Sequence, residues 1–132
     1  DDEEAGEEKN KINKYQAPSY IIVIDDMGKG CRSPCVCELM KIHRHFSSKV
    51  IISSQYIKDL SPEQIMQLDY VILFGNHTEE KLKHLFDCLD LSIEFNLFLK
   101  LYHDATQEKF NFLYIDRNNN KFRKNFNEEY QF

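Results

Sequence analysis

The most informative stretch of the chain is YIIVIDD, residues 20–26. It consists of five apolar residues, four of them β-branched, followed directly by two aspartates. A continuous apolar run without alternation is typical of a strand that is buried on both faces of a parallel sheet. Ligands of such sheets bind beyond the carboxyl ends of the strands, so Asp25 and Asp26 are the first candidate site residues.

Two further apolar runs follow at residues 49–53 and 69–74, and helix-start signals separate the three runs. Ser33-Pro34 combines a preferred N-cap residue with proline at the first helical position. Residues 61–64, Ser-Pro-Glu-Gln, form a capping box. The alternation of buried strands and helices predicts an α/β unit with a mostly parallel sheet. The polar residues at its strand ends are then expected to gather at one edge: Asp25-Asp26, Ser54-Gln55 and Gly75-Asn76-His77.

The last third of the chain has a different pattern. Residues 78–89 and 92–103 are predicted helices, and residues 110–116 and 121–126 alternate apolar and polar residues around the turn at 117–120. This alternation predicts a C-terminal antiparallel hairpin. Four basic residues lie on it and are either a solvated turn or contacts to DNA phosphates: Arg117, Lys121, Arg123 and Lys124.

The charge is unevenly distributed along the 132 residues, whose formal net charge is −5. Residues 1–8 carry six acids and no base, and the remaining residues carry 16 acids against 17 bases. We therefore expect residues 1–18 to be an acidic flexible tail or insertion, attached to a nearly neutral body that does not argue against a DNA partner. No apolar stretch approaches the roughly 20 residues of a membrane helix, and no signal peptide is visible, so neither a membrane anchor nor secretion is expected.

Four cysteines are too few and too clustered for a secreted disulfide scaffold, so reduced thiols are expected. Cys31, Cys35 and Cys37 lie near two histidines, His43 and His45, which raises zinc binding as an alternative. The spacing C-x₃-C-x-C is not a common zinc pattern, which disfavours that alternative.

Apolar residues followed by two carboxylates match a Walker B motif. A buried strand can hold its first carboxylate, Asp25, beside a Mg²⁺ that bridges nucleotide phosphates, and the second, Asp26, can orient or deprotonate the attacking water. A polar residue at the tip of the adjacent strand, here Gln55, can sense the γ-phosphate, and an arginine such as Arg44 can reach the nucleotide of a neighbouring subunit. Taken separately, these residues could equally be a turn-capping aspartate, a polar strand end and a helix-terminal cation.

The order of these segments resembles the FtsK/HerA-type genome-packaging ATPases of nucleocytoplasmic large DNA viruses and virophages. The resemblance rests on residues 21–26, a helix ending at Arg44-His45, residues 50–55, Leu60-Ser61-Pro62 and the strand Tyr70–Phe74. It implies a RecA-like P-loop NTPase core that uses ATP and Mg²⁺. It also implies a homo-oligomeric ring around double-stranded DNA, capsid proteins as candidate partners, and a location in the host cytoplasm (virus factory) or the virion.

The resemblance assigns roles to four residues. Asp25 would assist Mg²⁺ binding, and Asp26 would be the catalytic carboxylate, one methylene shorter than the glutamate common at this position. Gln55 would be the γ-phosphate sensor and Arg44 the trans-acting arginine. The predicted function is part of a viral packaging ATPase that couples ATP hydrolysis to DNA translocation.

One departure from the family is important. The sequence contains no G-x-x-x-x-G-K-[ST], and Gly28-Lys29-Gly30 follows the Walker B segment and is not a phosphate loop. Residues 19–132 are therefore expected to be the C-terminal part of an ATPase domain whose first, Walker A portion is absent, and to be inactive alone. The alternative is a non-catalytic half-domain that serves as an oligomerisation or DNA-contact module. A helicase is a third possibility, but its usual Ser-Ala-Thr or Gly-Asp-x-x-Gln segment is not present.

Overall fold

A computed structural model describes residues 19–132, so the predicted acidic tail at 1–18 lies outside the described residues. The elements, in chain order, are β1 (Tyr20–Asp25), α1 (Pro34–Ile42), β2 (Ser48–Ser53), α2 (Pro62–Met66), β3 (Tyr70–Phe74), α3 (Glu79–Leu89), α4 (Phe95–Ala105), β4 (Phe112–Asp116), β5 (Lys121–Lys124) and β6 (Glu128–Glu129). Short 3₁₀ turns occupy Gly28–Arg32, His43–Phe46 and Ile57–Asp59.

β1 and β2 form the predicted parallel pair, with α1 in the connection between them. α1 begins where the sequence indicates, because the Ser33 hydroxyl accepts a hydrogen bond from the Val36 amide and Pro34 occupies the first turn. It ends at Ile42, so Arg44 lies in the following 3₁₀ turn and not in the helix as expected.

The second sheet is antiparallel, with strand order β3-β4-β5-β6. The predicted hairpin is confirmed as β4 and β5. The expectation of a mostly parallel sheet is wrong for residues 19–132, since one of the four pairings is parallel and three are antiparallel. The apolar run of β3 indicates that the strand is buried, but it does not indicate whether its partner strand runs parallel or antiparallel. That partner is β4, which lies far along the chain.

The main core lies between the second sheet and the helices α2, α3 and α4. Its fully buried members are large apolar residues: Ile65, Leu82, Leu89, Phe98, Leu113, Ile115 and Phe122. A smaller cluster of Ile24, Cys31, Val36 and Met40 joins α1 to β1. Leu60 and Leu68 contact both clusters, which connects the parallel pair to the rest of the molecule.

The strands of the parallel pair are not covered on both faces by the described residues. Ile22, Val50 and Ile52 pack against the cluster on α1. Ile21 and Val23 on the opposite face of β1 are 66% and 62% exposed. The expectation of burial on both faces is therefore wrong for this part of the chain, because residues 19–132 supply a helix to one face only.

Candidate functional site

The carboxyl ends of β1 and β2 meet, and the predicted polar residues meet with them. The register pairs Asp25 with Ser53, and the Asp26 amide donates to the Ser53 carbonyl over 3.2 Å, which extends the pairing by one residue. Beyond this point, Nε2 of Gln55 donates to Oδ1 of Asp26 at 3.2 Å. The structure thus brings the end of β1, with Asp25 and Asp26, to Gln55, as the sequence predicted. The third strand end, Gly75-Asn76-His77, follows β3, which belongs to the other sheet, so the expectation that it shares an edge with the first two is wrong.

Asp26 adopts a left-handed backbone conformation with φ of 50°. Aspartate visits this region more readily than most residues, but the conformation is still sparsely populated and is found preferentially at functional sites. The chain turns away from the sheet here, and Gly28, with φ of 54°, continues the turn. The turn leaves the carboxylate of Asp26 exposed beside the end of β2.

Asp25 is exposed at the end of β1, and within residues 19–132 no hydrogen bond or ion pair engages its carboxylate. Free carboxylate oxygens are the ligands that Mg²⁺ takes from proteins, usually one or two of them together with substrate phosphates and water. The free carboxylate of Asp25 therefore fits a Mg²⁺ that arrives with a nucleotide.

The loop that carries Gln55 is fixed by a residue that sequence reasoning missed. Asp59 is buried, and its Oδ2 accepts a hydrogen bond from the Ser54 hydroxyl at 2.5 Å. The Tyr56 amide donates to the same hydroxyl oxygen at 3.4 Å. Nothing in the local sequence marks Asp59, because it lies in a short 3₁₀ turn that has no periodic pattern.

Arg44 is not brought to this site by its own chain. It precedes β2, whereas Gln55 follows it, and a six-residue strand spans about 17 Å. The Arg44 guanidinium instead donates to both carboxylate oxygens of Asp69 at 2.7 and 2.8 Å. A role in the site of a neighbouring subunit stays a prediction.

The basic residues of the hairpin are largely engaged within the chain. Lys121 and Arg123 pair with Glu129 at 3.1 and 3.9 Å. Arg117 donates to the carbonyls of Met66 and Leu68, both at 2.7 Å, at the end of α2. Their proposed contact with DNA, and that of Lys124, stays a prediction.

The four cysteines are free thiols in different environments, and Cys31 is fully buried. Burial, together with the nearby charge of Asp59, raises the pKa of Cys31, so that thiol stays protonated at neutral pH. In residues 19–132 no three histidine, cysteine, aspartate or glutamate side chains converge on a point where they could hold a metal ion. Over the same residues, none of the helices has the length and apolar content needed to cross a membrane.

The structure is similar to solved structures of the genome packaging NTPase B204 from Sulfolobus turreted icosahedral virus 2. The chain shares the fold of this NTPase. Against its complex with AMPPCP, the TM-score is 0.62 at 19% identity, over 93% of this chain and 63% of that chain. Against its complex with ATP-gammaS, the TM-score is 0.56 at 19% identity, over 78% of this chain and 50% of that chain.

At 19% identity the likeness concerns the fold alone. It confirms the α/β fold of a viral packaging NTPase that the motifs implied. The chain spans less than two thirds of the length of the NTPase chains it matches. No protein-family model and no curated protein sequence matches the chain.

Proposed function

We propose that the chain is part of a viral genome-packaging ATPase of the FtsK/HerA type, with a RecA-like core, that couples ATP hydrolysis to translocation of double-stranded DNA. One observation carries the proposal: Asp25 and Asp26 follow a parallel strand and lie beside Gln55, which follows the adjacent strand, within a fold that is shared with a packaging NTPase. Paired acids and a polar sensor on adjacent strands are the arrangement that hydrolysis of a nucleotide γ-phosphate requires.

Each of the three side chains has a distinct task in this proposal. Asp25 would hold Mg²⁺, which, when bound with ATP, offsets the negative charge of the phosphates. Asp26 accepts a proton from the attacking water. Gln55 donates from Nε2 to Asp26, which leaves its Oε1 to orient that water.

The phosphate-binding loop, in this proposal, comes from polypeptide other than residues 19–132. Two features of the described residues support it. β2 pairs only with β1, and β3 pairs only with β4, so each has one edge without a partner strand. Exposed apolar side chains lie along both strands, with Ile51 at 53% and Phe74 at 51% exposure. Unpaired, apolar strand edges are a liability that native proteins normally cover.

The assembled form we propose is a homo-oligomeric ring around double-stranded DNA. Arg44 is exposed and would complete the site of the adjacent subunit. Such a motor would act in the host cytoplasm (virus factory) or the virion, with capsid proteins as partners.

Hydrolysis of radiolabelled ATP tests the proposal. We expect the chain alone to be inactive and the complete product of its gene to be active. Asp26→Asn should slow hydrolysis by the complete protein about 100-fold or more. Glu108→Gln, which alters an exposed carboxylate in the turn after α4, should leave the rate unchanged.

Two outcomes would contradict the proposal. Turnover by the chain alone would show that no external phosphate loop is needed. A complete protein that is inactive, or active but indifferent to Asp26→Asn, would favour the second candidate, a non-catalytic half-domain. The unpaired edges of β2 and β3 are the observation that favours this second candidate, because they could equally bind another subunit.

A further inference from the structure

Three lysines from separate parts of the chain meet around an exposed tyrosine, next to the candidate site. Lys29 lies in the turn after β1, Lys58 in the turn after β2, and Lys81 in the first turn of α3. With Tyr56, Ile57 and Asp59 they line a groove of about 270 Å³, which we call the lysine groove. No stretch of sequence marked it, because its lysines lie far apart in the chain.

The positive charge of the lysine groove is only partly neutralised within its own lining, which holds three lysines and one acid. None of its three lysines forms an ion pair within residues 19–132, whereas Lys83, Lys121, Arg44 and Arg123 all do. The one acid of the groove, Asp59, is buried and accepts a hydrogen bond from Ser54. Three lysines against one acid leave an excess of positive charge, and such an excess produces a positive local potential that attracts an anion.

The groove is also held in shape. The guanidinium of Arg32 donates to the carbonyls of Lys58 and Leu60, which fixes the turn that carries Lys58. The ammonium of Lys81 lies 6.0 Å from the centroid of the Tyr56 ring, at the outer limit of a cation–π contact. The Tyr56 side chain is 60% exposed, so its ring and hydroxyl are accessible to a ligand.

We propose that the lysine groove binds the phosphodiester backbone of double-stranded DNA. Its ammonium groups are point charges that suit phosphates without reading sequence. A polyanion with repeated phosphates can engage all three lysines, which stand on separate turns. The choice of DNA among polyanions rests on the proposed function.

The position of the groove links DNA to hydrolysis. Tyr56 follows Gln55 directly, and Ser54, on the other side of Gln55, holds Asp59 of the groove. A phosphate that shifts Tyr56 therefore acts on the loop whose side chain is bonded to Asp26. We therefore expect duplex DNA to change the rate of ATP hydrolysis by the complete protein. The effect would pass through the consecutive residues Ser54, Gln55 and Tyr56.

A salt titration of duplex DNA binding tests the proposal on the 132-residue chain. The slope of log K against log salt is negative, and each lost phosphate contact makes it less steep by about 0.9, so Lys58→Ala/Lys81→Ala should make it less steep by about 1.8. The matched control is Lys100→Ala/Lys109→Ala, which removes two exposed lysines without ion pairs in the described chain and should keep the wild-type slope. Circular dichroism of both doubles confirms that each is folded.

Three results would overturn the proposal: no DNA binding at low salt, equal slopes for the two doubles, or displacement of DNA from the chain by millimolar ATP. The last would show that the groove is a nucleotide site. Tyr56→Phe should keep most of the affinity and Tyr56→Ala should lose several-fold. Asp26→Asn separates the two proposals, because it should abolish hydrolysis by the complete protein and leave DNA affinity unchanged.

Discussion

Gln55 and Asp26 lie on the ends of neighbouring parallel strands and are joined by a hydrogen bond of 3.2 Å from Nε2 to Oδ1. The bond fixes which way the amide faces, because Nε2 is committed to the carboxylate. The oxygen of Gln55 is then available to accept from water. A side chain with no amide donor cannot make this arrangement.

Replacing Gln55 by glutamate should therefore abolish most hydrolysis. The variant keeps the length of the side chain but places a second carboxylate against Asp26, which removes the donor and adds repulsion. We expect the turnover of ATP by the complete protein to fall about 100-fold or more, with nucleotide binding retained. Steady-state hydrolysis and binding of a fluorescent nucleotide measure the two effects.

The matched control is Gln107→Glu, which adds the same charge at an exposed position after α4. It should hydrolyse ATP at the wild-type rate. A Gln55→Glu protein that turns over ATP as fast as this control would exclude the assigned role of Gln55.

Arg44 and Asp69 form an exposed ion pair, with side chains 62% and 32% accessible. Exposed pairs contribute about 0.2–1 kcal/mol, so Arg44→Ala should change the free energy of unfolding by less than about 1 kcal/mol. If Arg44 acts in the neighbouring subunit, the same variant should nevertheless stop ATP turnover by the ring. Urea denaturation and hydrolysis assays measure the two effects separately.

Mixing subunits tests the trans role directly. Arg44→Ala and Asp26→Asn proteins should each be inactive alone. An Asp26→Asn subunit keeps Arg44, and an Arg44→Ala subunit keeps both aspartates. Mixed rings should therefore regain activity at each interface where Arg44 of the first subunit reaches the aspartates of the second. Mixtures that stay inactive, although the subunits co-assemble, would contradict the assignment of Arg44.

Most elements of this fold could be predicted from local signals. Ser33-Pro34, the Ser61–Gln64 capping box and Thr78 each place a helix start correctly, because caps satisfy backbone groups within one turn of the chain. The meeting of Asp26 with Gln55 was also predictable, since parallel strands place their carboxyl ends at one edge.

The features that sequence reasoning missed depend on distant contacts. The direction of β3 is set by β4, about forty residues later in the chain, and the pattern of β3 is the same for either direction. The ion pair of Arg44 could not be predicted because its partner, Asp69, lies 25 residues away in the chain. The lysine groove has no periodicity to detect, because its lysines come from three turns that only the packed structure brings together.

Gln64 connects two parts of the core, and its replacement should destabilise the fold. It is 2% exposed, its Nε2 donates to the Cys31 carbonyl at 2.6 Å, and its Oε1 accepts from the Ser61 amide in the capping box. Gln64→Leu leaves these two backbone groups without partners. We expect a loss of about 1–3 kcal/mol in the free energy of unfolding.

Urea denaturation measures this loss, and Glu63→Leu is the control. Glu63 is the exposed neighbour of Gln64 on the same helix, so the same replacement there removes no buried hydrogen bond. Equal midpoints for the two variants would show that the bond to Cys31 contributes nothing measurable.

Asp116 gives the fold a dependence on pH. The side chain of Asn119 donates from Nδ2 to Oδ2 of Asp116 at 2.8 Å, and the Asn119 amide donates to Oδ1 at 3.1 Å. The first of these bonds is the main reason that the pKa of Asp116 lies below its ordinary value of 3.8, and burial opposes the shift. Because the folded pKa is the lower one, the stabilisation is complete above pH 3.8 and is lost as pH falls through the folded pKa.

Asn119→Ala should raise the pKa of Asp116 and reduce the free energy of unfolding at neutral pH by about 1.5–3 kcal/mol, since a bond to a charged group is lost. Its stability should also change less than that of the wild type as pH falls below 3.8. The control is Asn118→Ala, because the Asn118 side chain donates to Asp69 and not to Asp116. Carboxyl-carbon NMR titration of Asp116, with urea denaturation at each pH, measures both effects. An unchanged pKa in Asn119→Ala would show that the amide and the remaining turn hold the charge without the side chain.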